Sequence, residues 1–182
     1  MSRFLIAYAS THGHTARIAH RIADVIRAEG HTVDIRDDLT EAGPEVMEYD
    51  SVVVGASIHA GHHQPTLVEW IKHRSFKLST RPTAFFSVCL TAAEDNDAAR
   101  QAARDYVDDF EETTGWTPRH RTTFAGALQF REYNFPTRLM MRVLMKKGGH
   151  PTDMLHDYDY TDWDAVEAFA HKCAKLPALV HA

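Results

Sequence analysis

The chain has 182 residues, of which 44% are hydrophobic and 25% are charged. This is the size and composition of one ordinary globular domain, and it excludes a disordered or low-complexity chain. Twenty Lys and Arg residues against 25 Asp and Glu residues give a formal net charge of −5, which argues against a nucleic-acid-binding protein. The two cysteines are too few for a disulfide framework and favour a reduced, cytoplasmic setting.

No apolar run approaches the roughly 20 residues that a membrane-spanning helix needs, and the first apolar run is too short for a signal peptide. We therefore expect a soluble, cytoplasmic chain that is at most associated peripherally with a membrane, at the cytoplasmic face of the inner membrane. The chain has no internal repeat and no linker composition, so residues 1–182 are predicted to form a single domain.

Short apolar runs alternate with segments of helical periodicity, which is typical of β-α-β units. Strands are predicted at 4–9, 31–36, 50–56, 82–90 and 122–128, and helices at 15–29, 65–78, 95–113 and 162–176. The runs at 4–9 and 50–56 show no polar alternation, as expected for strands that are buried on both faces. The pattern predicts an α/β fold, a three-layer sandwich around a five-stranded parallel sheet.

An insertion of about 33 residues, 129–161, separates the last predicted strand from the last predicted helix. Connections of this length in a compact domain are usually functional or mobile. Residues 136–147 are predicted to form a helix in which Arg138, Arg142 and Lys146 share one stripe among apolar neighbours. This helix is either a lid or membrane-contact segment, or a helix that packs on the sheet edge with its basic side chains extended into water.

Ligands of open α/β sheets bind beyond the carboxyl ends of the strands, so the loops at that edge are the candidate site. The first loop combines hydroxyl groups, a glycine and the start of a helix, which together favour phosphate binding through backbone N–H groups. Its residues are Ser10, Thr11, His12, Gly13, His14 and Thr15. It is neither a Walker A loop nor a G-x-G-x-x-G turn, and the alternative is an ordinary polar turn.

Two further loops follow the predicted strands at 50–56 and 82–90. The second loop has small residues that would let a flat ligand approach the backbone, and the third would form the opposite wall. The second contains Ala56, Ser57, Ile58, His59, Ala60 and Gly61, followed by His62 and His63, and the third contains Ser87, Val88, Cys89, Leu90 and Thr91. The alternatives are a histidine-rich surface loop and a core strand end in which Cys89 packs as a small apolar residue.

Several of these motifs carry a family resemblance. Ser-x-His-Gly-x-Thr at 10–15 resembles the T-x-T-G-x-T phosphate loop of flavodoxins, with His12 in place of the middle Thr. The motifs at 54–62, 126–128, 144–149 and 160–163 resemble those of the quinone-dependent (menaquinone-dependent) protoporphyrinogen oxidases, which are flavodoxin-like enzymes of haem biosynthesis. The resemblance covers essentially the whole chain, including the insertion.

The resemblance implies a flavodoxin-like sheet of strand order 2-1-3-4-5, FMN as cofactor, and oxidation of protoporphyrinogen IX with electrons passed to a quinone. Residues 10–15 would then hold the FMN phosphate, while 56–61 and 87–91 would enclose the isoalloxazine ring. At 59–60 this chain has His-Ala where the family commonly has Arg-Tyr. The alternatives are a flavodoxin-like electron carrier, an NAD(P)H:quinone reductase of the same fold, and a scaffold that does not bind FMN.

Candidate catalytic residues follow from the chemistry of such an oxidation. His59, His62 and His63 are candidate proton acceptors, because imidazole titrates near neutral pH. Arg131 and Arg138 are candidates for pairing with the propionates of the porphyrinogen. No residues have the spacing of a closed zinc site, so no metal is predicted. The oligomeric state and the quinone species stay open.

Overall fold

The computed structural model describes residues 1–40, 43–94, 96–128 and 156–176. The strands are β1 (Arg3–Tyr8), β2 (Thr32–Arg36), β3 (Ser51–His59), β4 (His62–His63), β5 (Thr83–Cys89), β6 (His120–Ala125), β7 (Ala127–Leu128) and β8 (Tyr158–Asp159). The helices are α1 (His14–Ala28), α2 (Pro65–Lys72), α3 (Ser75–Ser79), α4 (Asp97–Thr114) and α5 (Trp163–Ala174).

The central sheet has the strand order β2-β1-β3-β5-β6, and these strands run parallel to one another. Counting only its parallel strands, this order is 2-1-3-4-5, so the predicted α/β fold is confirmed. Tyr8 at the end of β1 pairs with Gly55, and Val88 of β5 pairs with Ser57 of β3. The carboxyl ends of β1, β3 and β5 therefore meet at one edge, where the candidate loops begin.

The core lies in two layers because successive side chains of a strand point to opposite faces of the sheet. On β1, Phe4 and Ile6 join the layer formed with α1 and α5, whereas Leu5 and Ala7 join the layer formed with α2, α3 and α4. All four of these side chains are completely buried. A strand buried on both faces explains why the run at 4–9 shows no polar alternation.

Gly55 shows how tightly the layer formed with α1 and α5 is packed. A Cβ atom at this position would lie 2.1 Å from Cζ of Phe86, a side chain that is itself fully buried. Such an approach is far inside van der Waals contact, so packing against the neighbouring strand, rather than backbone conformation, requires glycine here.

Three predicted elements differ from the structure. The predicted helix 65–78 is two helices, because the chain leaves helical geometry at Arg74, and Ser75 donates a hydrogen bond to the Lys72 carbonyl at the end of α2. The predicted strand 122–128 is divided at Gly126, whose N–H donates to the Cys89 carbonyl. The predicted strand 50–56 continues to His59, because β4 pairs with it.

A separate two-stranded sheet closes the base of the insertion. β7 and β8 are antiparallel, and Leu128 pairs with Tyr158. The predicted helix 136–147, with Arg142 and Lys146, lies outside the described residues, as do Arg131 and Arg138. In the part of the chain that the structure describes, no helix combines the length and the apolar character needed to cross a membrane.

Candidate functional site

The N-terminus of α1 differs from those of the two other long helices. In α4 and α5 the side chains of Asn96 and Asp162 accept hydrogen bonds from first-turn N–H groups, at 2.8 and 3.0 Å, and an acidic residue lies in the first turn. α1 begins after Gly13 with φ of 79°, has no acidic residue in its first turn, and within the described residues no side chain caps it. Its N–H groups and dipole are therefore available to an anion.

Within the predicted phosphate loop, the His14 side chain is buried and contacts Thr161. Its side chain is 6% exposed, and Nε2 lies 2.7 Å from Oγ1 of Thr161. Because the Thr161 hydroxyl donates to the Ala125 carbonyl at 2.9 Å, it accepts from His14, which places the imidazole hydrogen on Nε2. Burial lowers the pKa of His14, although the charge of Asp159 opposes this shift. His14 thus connects the loop to the last residue of the insertion.

Asp159 and Arg17 extend that connection. The Asp159 carboxylate accepts the N–H of Thr161 at 3.0 Å and lies 3.4 Å from the guanidinium of Arg17. Arg17 also lies over the ring of Trp163, 5.4 Å from its centroid. Sequence reasoning did not predict a role for Thr161 or Asp159, although the motif at 160–163 carried part of the family resemblance.

The predicted second loop is in fact the end of a strand and a hairpin, which corrects that part of the sequence interpretation. Residues Ala56 to His59 lie within β3, and His59 pairs with His62 of β4. The two residues of the turn, Ala60 and Gly61, have φ of 49° and 85°. Positive φ at both positions is typical of two-residue hairpin turns, which follow the twist of the strands. Ala60 and Gly61 therefore form the tip of a defined hairpin.

The hairpin and the β1–α1 loop meet through two imidazole rings. The centroids of His12 and His59 are 5.5 Å apart, in an edge-to-face arrangement. Loss of solvation lowers the pKa of His59, and the nearby His12 lowers it further. The structure therefore brings His12 and His59 together, with exposed His62 next to His59 across the hairpin.

His63 is placed differently from the other candidate proton acceptors. It is 8% exposed, its Nε2 lies 3.0 Å from Oγ of Ser87, and its ring centroid lies 4.7 Å from that of Phe110 and 5.6 Å from that of Phe85. Burial, with a smaller effect of His62, lowers the pKa of His63 to about 4. This imidazole is neutral at physiological pH and supports the hairpin from the core.

Only part of the predicted third loop is accessible. Ser87, Val88 and Cys89 are buried in β5, and burial raises the pKa of the Cys89 thiol. Leu90 and Thr91 begin the short 3-10 helix Leu90–Ala93 and are partly exposed. If this segment contacts a ligand, it therefore does so through Leu90 and Thr91 rather than through the three residues before them.

Gln64 contributes contacts that the sequence did not predict. It lies between the hairpin and α2, and its amide group is within hydrogen-bond distance of Ala9, Thr11 and Ser57. No local motif signals this role, because the partners at the β1–α1 loop are 53 and 55 residues away in the chain.

Over the described ranges, no group of three or more His, Cys, Asp or Glu side chains is arranged so that it could hold a metal ion. The histidines at this edge are divided between the core and the surface. The arrangement instead offers an anion site at the α1 N-terminus, beside a hairpin whose exposed imidazoles can exchange protons.

Proteins of similar sequence indicate the family to which this chain belongs. Residues 5–154 match the flavodoxin-domain family. The chain is 36% identical over 180 residues to protoporphyrinogen IX dehydrogenase (quinone) of Leishmania major, covering 97% of this chain and 76% of that protein. It is 33% identical over 172 residues to protoporphyrinogen IX dehydrogenase (quinone) of Escherichia coli strain K12, covering 94% of each.

The fold has a similarly clear counterpart among solved structures. Oxidised flavodoxin 1 from Bacillus cereus superposes with a TM-score of 0.55 at 17% identity, covering 96% of this chain and 98% of that one. The strand order 2-1-3-4-5 of the parallel sheet is that of the flavodoxin-like fold. The chain therefore belongs to the flavodoxin-like family of quinone-dependent protoporphyrinogen IX dehydrogenases.

Proposed function

We propose that this chain oxidises protoporphyrinogen IX to protoporphyrin IX, with FMN as its cofactor and a quinone as electron acceptor. The observation that carries the proposal is the meeting of an uncapped α1 N-terminus with the histidine-bearing hairpin at the carboxyl edge of the sheet. The relatives that share most of this chain's length are named for that oxidation.

The residues at this edge fit FMN. Ser10, Thr11 and the N–H groups that follow Gly13 would hold its phosphate, because the first turn of α1 carries no competing carboxylate. The hairpin tip at Ala60 and the partly exposed residues Leu90 and Thr91 would enclose its ring. FMN, when bound, supplies the two-electron acceptance that the reaction requires, and the protein supplies position and proton transfer.

The chain's own contribution to the chemistry is acceptance of protons. Each two-electron oxidation removes a hydride, which FMN would accept, and a proton, which a protein group would accept, and three such oxidations yield the porphyrin. An imidazole nitrogen of His59 or His62 would take this proton. Loss of solvation lowers the pKa of His59, which favours the neutral form of the ring, the form that can accept a proton. His63 supports the hairpin from the core and is the weakest of the three candidates.

Substrate and membrane contacts are assigned to the insertion. Arg131 and Arg138 would pair with the substrate propionates, and 136–147 would contact a membrane peripherally, where a quinone is found. These assignments come from the sequence, since both lie outside the described residues.

The reaction is tested by an anaerobic half-reaction in which FMN-loaded protein is mixed with protoporphyrinogen IX while flavin absorbance is followed. Oxygen is excluded, and a protein-free sample is run in parallel, because porphyrinogens oxidise spontaneously in air. We expect the flavin to bleach as porphyrin forms, and its colour to return when a quinone is added. A flavin that porphyrinogen leaves oxidised, but that NAD(P)H or a reductase reduces, would identify a quinone reductase or an electron carrier instead.

The proton acceptor is identified by comparing His59→Ala and His62→Ala with His20→Ala, which removes an exposed histidine on α1. Loss of the acceptor is expected to slow flavin bleaching by about 100-fold at neutral pH, with partial rescue by added imidazole. Wild-type rates in both hairpin variants would remove both residues from the mechanism.

A further inference from the structure

The Gln64 side chain connects the two loops that form the candidate flavin site. Its Nε2 lies 2.5 Å from Oγ of Ser57, 3.4 Å from the carbonyl oxygen of Ala9 and 3.5 Å from Oγ1 of Thr11. Its Oε1 accepts the backbone N–H of Ser57 at 3.3 Å. One amide therefore contacts both the end of β3 and the β1–α1 loop.

The chemistry of these partners suits an amide. The Ser57 N–H requires an acceptor, which Oε1 supplies, whereas the Ala9 carbonyl requires a donor, which Nε2 supplies. A carboxylate at this position would meet the first requirement and repel the Ala9 oxygen. An aliphatic side chain would meet neither, so this position selects a residue with one donor end and one acceptor end.

We propose that Gln64 is a positioning residue for flavin binding, which holds the phosphate-binding loop in register with the end of β3. This inference rests on the FMN site of the proposed function. A ligand whose phosphate lies at 10–15 and whose ring lies at the hairpin must engage both loops at once. A bridge between the loops that already exists reduces the ordering that binding would otherwise require.

The lengths of the hydrogen bonds made by Gln64 indicate how much its removal should weaken FMN binding. The two bonds to the β1–α1 loop are long, at 3.4 and 3.5 Å, and so each is weak. Their loss is expected to weaken FMN binding by about tenfold, the range of one neutral hydrogen bond. Riboflavin has the same ring system without the phosphate and needs only the hairpin side of the site, so its affinity should change by less than about threefold.

The test measures dissociation constants of FMN and riboflavin for the full chain by quenching of flavin fluorescence. The variants are Gln64→Ala and Gln64→Glu, and the control is Gln101→Ala, which removes an exposed amide on α4 that bonds to Asp105. We expect both Gln64 variants to weaken FMN binding much more than riboflavin binding, with Gln64→Glu at least as impaired because of charge repulsion. The control should retain wild-type affinity for both flavins.

Equal weakening of both flavins in Gln64→Ala, or no weakening of either, would overturn the proposal. Thermal unfolding of the flavin-free variants shows whether each is folded, and Gln64→Glu gives a second reading if Gln64→Ala unfolds. A wild-type chain that bound neither flavin would contradict the proposed function itself. That result is distinct from a wild type that binds FMN while its Gln64 variants bind equally well.

Discussion

The β1–α1 loop and the β3–β4 hairpin lie at the same edge of the sheet, but the protein holds them in different ways. The loop is held by a polar contact, because His14 bonds to Thr161, the last residue of the insertion. The hairpin is held from the core, because the buried His63 ring packs against the ring of Phe110. The first attachment depends on polar contacts over a long sequence separation, and the second depends on packing.

Gly13 in the β1–α1 loop and Gly55 in β3 are also required for different reasons, one conformational and one of packing. Gly13 has positive φ, and among the described residues no atom lies within 4 Å of a potential Cβ, so its backbone conformation is the constraint. Gly55 lies in β3, and Phe86 occupies the space where its Cβ would be. The comparison teaches that a glycine near a ligand loop is not by itself a sign of ligand approach, since Gly55 is required by the core.

The largest expected effect separates these two glycines. Gly55→Ala should lower the free energy of unfolding by about 3 kcal/mol, because its Cβ would lie 2.1 Å from Cζ of the fully buried Phe86. Gly13→Ala should cost only about 1 kcal/mol, from the left-handed backbone. Urea denaturation measures both. Adding Phe86→Leu to Gly55→Ala should recover stability, and a Gly55→Ala protein as stable as Gly13→Ala would break the comparison.

The second prediction concerns the buried His63, which holds the hairpin, and its effect on the pH dependence of stability. The pKa of His63 is about 4 in the folded protein against an ordinary 6.5, so between these values the unfolded chain binds more protons. Stability should therefore fall as pH decreases from 6.5 towards 4, by about 3 kcal/mol in all for this group.

His63→Phe should flatten much of that pH dependence in urea titrations, because the ring is kept and the titrating group is removed. Any slope that remains comes from other groups, among them His14, whose pKa is also lowered by burial. The exposed His20→Ala serves as the control, and an unchanged slope in His63→Phe would show that this imidazole is not the group that titrates.

A smaller loss of stability is expected when the hydrogen bonds of Thr161, which hold the β1–α1 loop, are removed. Thr161→Val should cost about 2 kcal/mol, because it removes the acceptor of His14 and the donor to the Ala125 carbonyl. Thr161→Ser keeps the hydroxyl and should retain most of the stability. Equal unfolding free energies for the Val and Ser variants would mean that this hydroxyl does not hold the loop.

The smallest effect concerns the hairpin tip. Ala60 has φ of 49°, which asparagine tolerates better than alanine, and Asn-Gly is the favoured pair for two-residue turns. Ala60→Asn should therefore stabilise the protein by about 0.5 kcal/mol, whereas Ala60→Val should destabilise it by about 1 kcal/mol. Thermal unfolding of the two variants compares them, and a more stable Val variant would contradict the turn geometry.

Those features of the fold that depend on the local pattern of residues could be predicted from the sequence. The unbroken apolar run at 4–9 identified a doubly buried strand, and the hydroxyl-rich loop at 10–15 identified the start of α1. The hairpin was predicted as a loop because Ala60-Gly61 is a weaker turn signal than Asn-Gly. Thr161, the partner of His14, lies 147 residues away, and the partners of Gln64 in the β1–α1 loop lie 53 and 55 residues away, so no local pattern could predict those contacts.

The pairing of Leu128 with Tyr158 also makes this position suitable for exchange of chain segments. Leu128 and Tyr158 are neighbours across two paired strands, so a segment of a different length can join them without displacing the central sheet. Loop-closure entropy changes by only about 0.6 kcal/mol for each doubling of length. Replacing 129–157 with a short turn should therefore yield a minimal flavodoxin-sized domain, and the same junction can accept a foreign peptide as a graft.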